Sequence, residues 1–384
     1  MKIRTWVNKW LKWPLVVIVF YAFVGLFNSL IANDQPLIGA QNNELVFPAF
    51  TDLAADWGMI RNPIRKSEEG FDWSIFPLIR YKAGTIDKDN AGFRAPAAST
   101  KGSSHWLGTD QLGRDVAAGI VRGCYTSFRI GILATLICAF IGIVIGMSMG
   151  YFGNKKLKVT PIQVVVLILG LLASIYFLIY QITAYSLSPH IFWILWLSVW
   201  VGTLIILARS PNKTINLPID GTFSRIIEWR RSVPTLILML VLFPLFEKPA
   251  VNNVILVILV LGWTGFARHA RAEAMSIKER QYVISASIMG AGHLEILRRH
   301  ILPNILPTLM ILAAMNFAGN VLLESTLSFL GMGLPPEEVS WGSLLSEGRR
   351  NHHAWWMVVF PGLALFILVY SINRLTDQYL EKDA

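Results

Sequence analysis

The sequence predicts an all-α fold, a polytopic bundle of membrane helices, on three observations. Of 384 residues, 54% are hydrophobic and only 15% charged, with a mean hydropathy of +0.51. A water-soluble domain of this length needs more polar surface to cover its core. The apolar residues also gather in runs of roughly 20, the length a helix needs to cross a bilayer core. Finally, the runs do not alternate apolar and polar residues as barrel strands would. Backbone groups in lipid must be satisfied internally, so helices are expected.

The first element follows a basic opening, with Lys2, Arg4, Lys9 and Lys12 ahead of the apolar run 14–32. A signal peptide begins in the same way, but this run exceeds an ordinary h-region and no small-x-small cleavage site follows. The expectation for 1–32 is a cytoplasmic N-terminus and a retained first helix. Over 33–123 Pro, Gly, Asp, Asn and charges are common and no membrane-length run occurs, so this is expected to be an extracytoplasmic segment. Apolar runs recur at 127–150, 161–185, 191–208, 233–246, 251–266, 307–330 and 355–372. The 233–246 run is short and interrupted by Pro244. The expected organisation is a core helix within 124–154, an inserted pair of helices within 155–222, and core helices with a cytoplasmic loop at 272–306 within 223–384.

Basic residues set the orientation. Lys155, Lys156 and Lys158 fall in one loop, Arg209, Lys213, Arg225, Arg230 and Arg231 in another, and Arg268, Arg271, Lys278, Arg280, Arg298 and Arg299 in a third. The alternate loops are poorer: 186–190 is uncharged and 247–250 carries Glu247 with Lys248. Only 331–354 dissents, with Arg349 and Arg350 offset by Glu337, Glu338 and Glu347. Lys and Arg concentrate on the cytoplasmic side, so both termini are expected there. The net charge of +10 then reflects topology, and no nucleic-acid partner is expected. Cys124 and Cys138 suggest no structural disulfide.

The 281–307 stretch reads as two short helices broken at Gly290 and Gly292 and ending at Pro303 and Pro307. Tyr282, Ile284, Ala286 and Met289 fall roughly on one side, and small Ser285, Ala286 and Ser287 permit close approach by another surface. Gly290-Ala291-Gly292 supplies a turn where positive φ costs little. Leu294, Leu297 and Ile301 form a stripe opposite Arg298 and Arg299. Such an element suits docking on a soluble partner, or lying at the headgroups.

Tyr282, Val283, Ala286, Gly290, Ile301, Leu302 and Pro303 resemble the coupling loop of binding-protein-dependent ABC importer permeases, with Ile284 and Ser285 at the usual Glu and first Ala. HWLGTDQLGRD, with Gly108, Asp110, Gly113, Arg114 and Asp115, is similar to the signature of the dipeptide and oligopeptide permease family, C-type subunit. The stretch 324–365, with LSFLGMG, WG, WW and FPG, resembles the same family. Gly119 and Tyr125 depart from its usual Arg-like residues, and Thr376 and Gln378 replace glycines beside Asn373 and Asp377. The resemblance implies a type I ABC importer permease core of six helices, carrying the two-helix insert as a peripheral addition. It further implies ATPase coupling through Tyr282–Pro303 and a bacterial inner-membrane location. The implied partners are a second homologous permease, two cytoplasmic ATPases and an extracytoplasmic substrate-binding protein. Cargo would be di- or oligopeptides, with a nickel chelate as the alternative. No cofactor is implied, ATP being bound by the partners.

Residues 108–115 have the glycine spacing of a phosphate loop, but Arg114 and Asp115 replace its Lys and Ser/Thr, and carboxylates repel phosphate. A charge-paired knot of Asp110, Arg114 and Asp115 is expected instead, or a contact with the delivering protein. His352, His353, His293 and His300 complete no metal site. Glu324, in an apolar run, is a pathway, gate or bracing candidate. Trp341, Trp355 and Trp356 are expected as interfacial anchors. A membrane enzyme is not favoured, because no H-E-x-x-H or G-x-S-x-G occurs. Inverted repeats of a secondary transporter are not evident.

Overall fold

In the computed structural model the chain is described at residues 13–41, 44–60, 63, 71–98, 105–154, 158–159, 170, 197–198, 200–201, 215–216, 218–246 and 248–383. The elements in chain order are α1 (Trp13–Leu26), α2 (Asn28–Ile31), β1 (Ile38–Gln41), β2 (Glu44–Val46), α3 (Pro48–Asp56), β3 (Trp73–Ile75), α4 (Val116–Phe152), β4 (Lys158–Val159) and β5 (Ile215–Asn216). They continue as α5 (Ile219–Ser232), α6 (Thr235–Leu242), α7 (Val251–Ile277), α8 (Gln281–Ile288), α9 (His293–Glu295), α10 (Leu302–Phe329), α11 (Trp341–Gly348) and α12 (Trp356–Asp383).

Among the described residues four helices are long and apolar enough to cross a membrane: Val116–Phe152, Val251–Ile277, His293–Phe329 and Trp356–Leu380. Apart from isolated positions, the expected helices at 161–185 and 191–208 lie outside the described residues. At their edges β4 and β5 pair antiparallel, Lys158 with Asn216 and Val159 with Ile215, bringing the ends of the added segment together. The 233–246 run forms only the eight-residue α6 and a 3₁₀ turn, Phe243–Leu245. Pro244 lacks the N–H that would continue the α-helical ladder.

The chain separates into two compact units. The first comprises Met1–Leu136, Pro249–Leu259 and Ile311–Ala384, the second Ile137–Lys248 and Val260–Met310. The first holds the hydrophilic segment, where β1 is central in the order β2-β1-β3 and antiparallel to both neighbours. Its apolar core joins Cys124, Phe128, Val321, Trp341, Leu365 and Leu368. Trp341 is wholly buried, and its Nε1–H donates to the Ile120 carbonyl at 3.1 Å. Trp356 is buried too and donates to the Thr109 carbonyl at 3.1 Å. The expectation of interfacial anchors is therefore corrected for both: each indole finds its acceptor inside the fold, which permits full burial. Trp355 is 53% exposed.

α4 begins at Val116, earlier than its apolar run suggests, because Asp115 caps it: Oδ1 accepts the Ala118 N–H at 2.7 Å. In the second unit α4 carries Gly142, Gly146 and Gly150 on one face. A Cβ there would lie 2.5, 2.2 and 2.6 Å from the carbonyls of Trp263, Ala267 and Arg271. The four-residue step on both helices lets α4 and α7 meet backbone to backbone, as small residues do in membrane packing.

Candidate functional site

The loop after α7 is built by a glycine turn. Val283 and Ala286 anchor α8, both buried, while Tyr282, Ile284 and Ser285 are exposed. The helix ends in a paired cap: Ala291 N–H donates to the Ala286 carbonyl at 3.0 Å and Gly290 N–H to the Ser287 carbonyl at 3.2 Å. This Schellman arrangement requires a left-handed residue, and Gly290 stands at φ +89°. Gly292 precedes α9 in extended conformation. The turn holds Ile288, Met289 and Leu294 outward at 80%, 81% and 78% exposure.

The second half of the loop departs from expectation. A π turn, Ile296–Ile301, leads directly into α10, so neither Pro303 nor Pro307 ends the helix, and Pro307 lies inside it. The wider turn relaxes the hydrogen-bond ladder just before Pro303, a residue with no N–H to contribute. It also alters the buried stripe. Ile296 and Ile301, five residues apart, are buried with Ile305 and Leu309, whereas Leu294 is exposed and Leu297 half-buried. Leu302 is half-buried and Pro303 exposed. His293 Nδ1 meets the Tyr151 hydroxyl at 2.8 Å, and Lys278 Nζ donates to the Gly150 carbonyl at 2.8 Å.

The second cluster lies in the first unit. Asp110 Oδ1 accepts backbone N–H groups of Leu112 at 2.9 Å and Arg114 at 2.8 Å, and Oδ2 accepts Arg114 Nε. Arg114 also pairs with Glu347 of α11. Burial and the nearby Asp110 hold the Glu347 carboxyl above its usual range, against the pull of Arg114. Gly108 and Gly113 have φ of +82° and +84°. A Cβ on Gly113 would lie 1.9 Å from the Asp87 carbonyl oxygen. Asp115 joins this knot differently from expectation: it caps α4 and meets His105 Nδ1 at 2.8 Å. His105 Nε2 meets Asp87 at 3.2 Å, and the ring stacks on Tyr81. Burial opposes a charge on His105, but hydrogen bonds to Asp115 and Asp87 outweigh it and hold its pKa above the ordinary value.

Glu324 is fully buried. Its carboxylate accepts the hydroxyls of Ser328 at 2.8 Å, Ser325 at 3.3 Å and Ser127 at 3.4 Å, with Ser340 also bonded. No ion pair to Glu324 occurs among the described residues. The arrangement braces α4, α10 and the segment before α11.

Sequence reasoning missed Arg122. Its guanidinium meets Asp56 at 2.7 Å, Asn28 at 3.3 Å and Glu338 at 3.4 Å, and lies 4.6 Å from the Tyr125 ring. Tyr125, one of the family departures, donates its hydroxyl to the Asp56 carbonyl. An Arg beside a membrane-length run was the available signal, since such a charge demands a partner.

Residues 202–382 match the family described as binding-protein-dependent transport system inner membrane component. The peptidoglycan transport system permease protein YejE of Agrobacterium fabrum is 24% identical over 378 residues, covering 91% of this chain and 81% of that protein. The oligopeptide transport system permease protein OppC of Mycobacterium tuberculosis is 27% identical over 309 residues, 79% and 82% of the two chains. The dipeptide transport system permease protein DppC of Bacillus subtilis is 26% identical over 277 residues, 72% and 67%. A chain of the MetNI methionine ABC transporter, inward facing, overlaps with a TM-score of 0.40 at 18% identity over 69% of this chain and 95% of its own. The chain is a polytopic membrane protein with a mainly helical fold. Over its C-terminal part it is similar to binding-protein-dependent transport system inner-membrane components.

Proposed function

We propose that this chain is a permease subunit of an ATP-driven importer of di- or oligopeptides, forming the path with a second permease. Two cytoplasmic ATPases and an extracytoplasmic substrate-binding protein complete the assembly. The family match and the peptide permeases among the relatives support this reading. The observation that carries it is the glycine-capped turn that holds Ile288, Met289 and Leu294 out from the body. An exposed apolar tip costs solvation unless a partner covers it.

In this reading the tip seats in a groove of an ATPase on the cytoplasmic side, and both termini of the chain lie there too. The missing acidic residue at Ile284 makes this contact mainly apolar. ATP binding draws the ATPases together, α8 and α9 move with them, and α10 carries the motion because the π turn makes it continuous with the loop. Hydrolysis returns the path to its inward state. The chain makes and breaks no covalent bond; it transmits a conformational equilibrium through contacts that differ between states. The 108–115 knot, with Gly108, Asp110, Gly113, Arg114 and Asp115, forms the outer boundary facing the binding protein. Glu324 braces that boundary rather than titrating in the path.

Both native cysteines are buried, so Met289→Cys provides a single accessible thiol. Crosslinking from it in membranes is expected to capture an ATPase, and an impermeant maleimide added outside is expected not to react. Reaction from outside, or failure to capture an ATPase in an assembled importer, overturns the reading.

A further inference from the structure

α5 is too short to span a bilayer at 14 residues, and it packs along the second unit instead. Ile227 is buried with Met149 and Ala267, and Ile219 and Phe223 pack against the same cluster. On one flank of this contact lies an open cavity of about 550 Å³. Met149 and Ile227 form its apolar floor, and Ser224, Arg231, Arg268 and Arg271 line it with Glu228.

The charge there is unbalanced. Arg271 is engaged by Asp220, with Nη2 2.8 Å from Oδ2. Arg231 and Arg268, both exposed, make no ion pair among the described residues. Among the described residues Arg230 beside them donates only to the neutral hydroxyls of Thr264 at 2.7 Å and Thr235 at 3.4 Å, and its buried Nε has no acceptor there. Among the described residues Glu228 is the one carboxylate lining the cavity. Two unpaired guanidiniums over a hydroxyl and an apolar floor suit an anion with several oxygens and an apolar continuation.

The surroundings say which anion. α6 begins three residues after α5 ends, exposing Leu236, Ile237 and Val241 at 46%, 52% and 61%. Trp229 is 76% exposed on α5 itself. Apolar surface therefore starts where the arginines stop, as at the border between headgroups and hydrocarbon. We propose that this cavity binds the phosphodiester headgroup of an anionic phospholipid, with Arg231 and Arg268 as its phosphate ligands. The site needs only that the chain lies in a membrane and is independent of the importer reading.

The test is native mass spectrometry of the full chain in detergent, titrated with phosphatidylglycerol, phosphatidylcholine or inorganic phosphate. Phosphatidylglycerol is expected to bind in preference to the other two, and its affinity to fall by at least about tenfold in Arg231→Ala/Arg268→Ala. Glu228→Gln removes a repulsive charge from a solvent-facing position and is expected to raise the affinity by about threefold. Equal binding of phosphatidylcholine shows that the pocket ignores headgroup charge and overturns the proposal. Displacement of the lipid by millimolar phosphate identifies a free-phosphate site and also overturns it. Unchanged affinity in Glu228→Gln does so as well, even where the double arginine variant fails to fold.

Discussion

Gly113 and Gly290 adopt nearly the same backbone conformation, φ +84° and +89°, for different reasons. A Cβ at Gly290 would meet nothing within 4 Å, whereas one at Gly113 would collide with the Asp87 carbonyl. Gly290→Ala is therefore expected to cost about 1 kcal/mol, the conformational part alone. Gly113→Ala is expected to cost clearly more, because two backbone segments must separate. Thermal melting, with limited proteolysis of the hydrophilic segment, distinguishes the two. His105 gives this segment a pH dependence. With carboxylates at both ring nitrogens, the protonated ring can donate to both, which favours the imidazolium over the neutral form. Its folded pKa is raised, so its contribution is complete below the unfolded value of about 6.5 and is lost as pH rises through the folded value. Protease resistance of the segment is expected to fall on moving from neutral to alkaline pH. In His105→Asn that pH dependence is expected to flatten; an unchanged profile would show that His105 does not carry the effect. At this scale the Asp110–Arg114 pair was legible in the sequence, because a turn four residues long joins them. The partners of His105 and Arg114 were not: Asp87 and Glu347 are remote in the chain, and only folding makes them neighbours.

Helices were legible as elements where a long apolar run falls among the described residues, and their ends and faces much less so. The start of α4 at Val116 depends on one side chain, Asp115, satisfying an N–H at the first turn. The continuation of α9 into α10 depends on a π turn, which shifts the buried face in a way that no 3.6-residue pattern anticipates. The glycines of α4 are in plain view as G-I-V-I-G-M-S-M-G, yet their meaning needs the partner helix. Gly146→Leu is expected to force α4 from α7 and cost on the order of 1–3 kcal/mol or more, seen as lowered yield and melting temperature. Arg122 ties α4 to α3 through Asp56. Arg122→Met leaves the Asp56 carboxylate without its cation and is expected to cost on the order of 3 kcal/mol. Adding Asp56→Asn is expected to recover most of that loss. Additive losses in this double-mutant cycle would show that the pair is not coupled.

Over the whole molecule, the sequence by itself determined that this chain is a membrane protein of several helices. It also pointed to two segments built on glycine turns, 282–303 and 108–115. Both conclusions rest on local properties: the length of apolar runs that lipid imposes, and glycine and charge placed at fixed short spacings. Only tertiary structure decided that Trp341 and Trp356 are core residues rather than anchors, since each indole's acceptor is contributed by residues more than two hundred positions away. Folding likewise chose the partners of Glu324, Arg122 and His105. A buried polar group is stable only where the fold brings it a hydrogen-bonding partner, and a linear pattern carries no record of which distant segment will supply one.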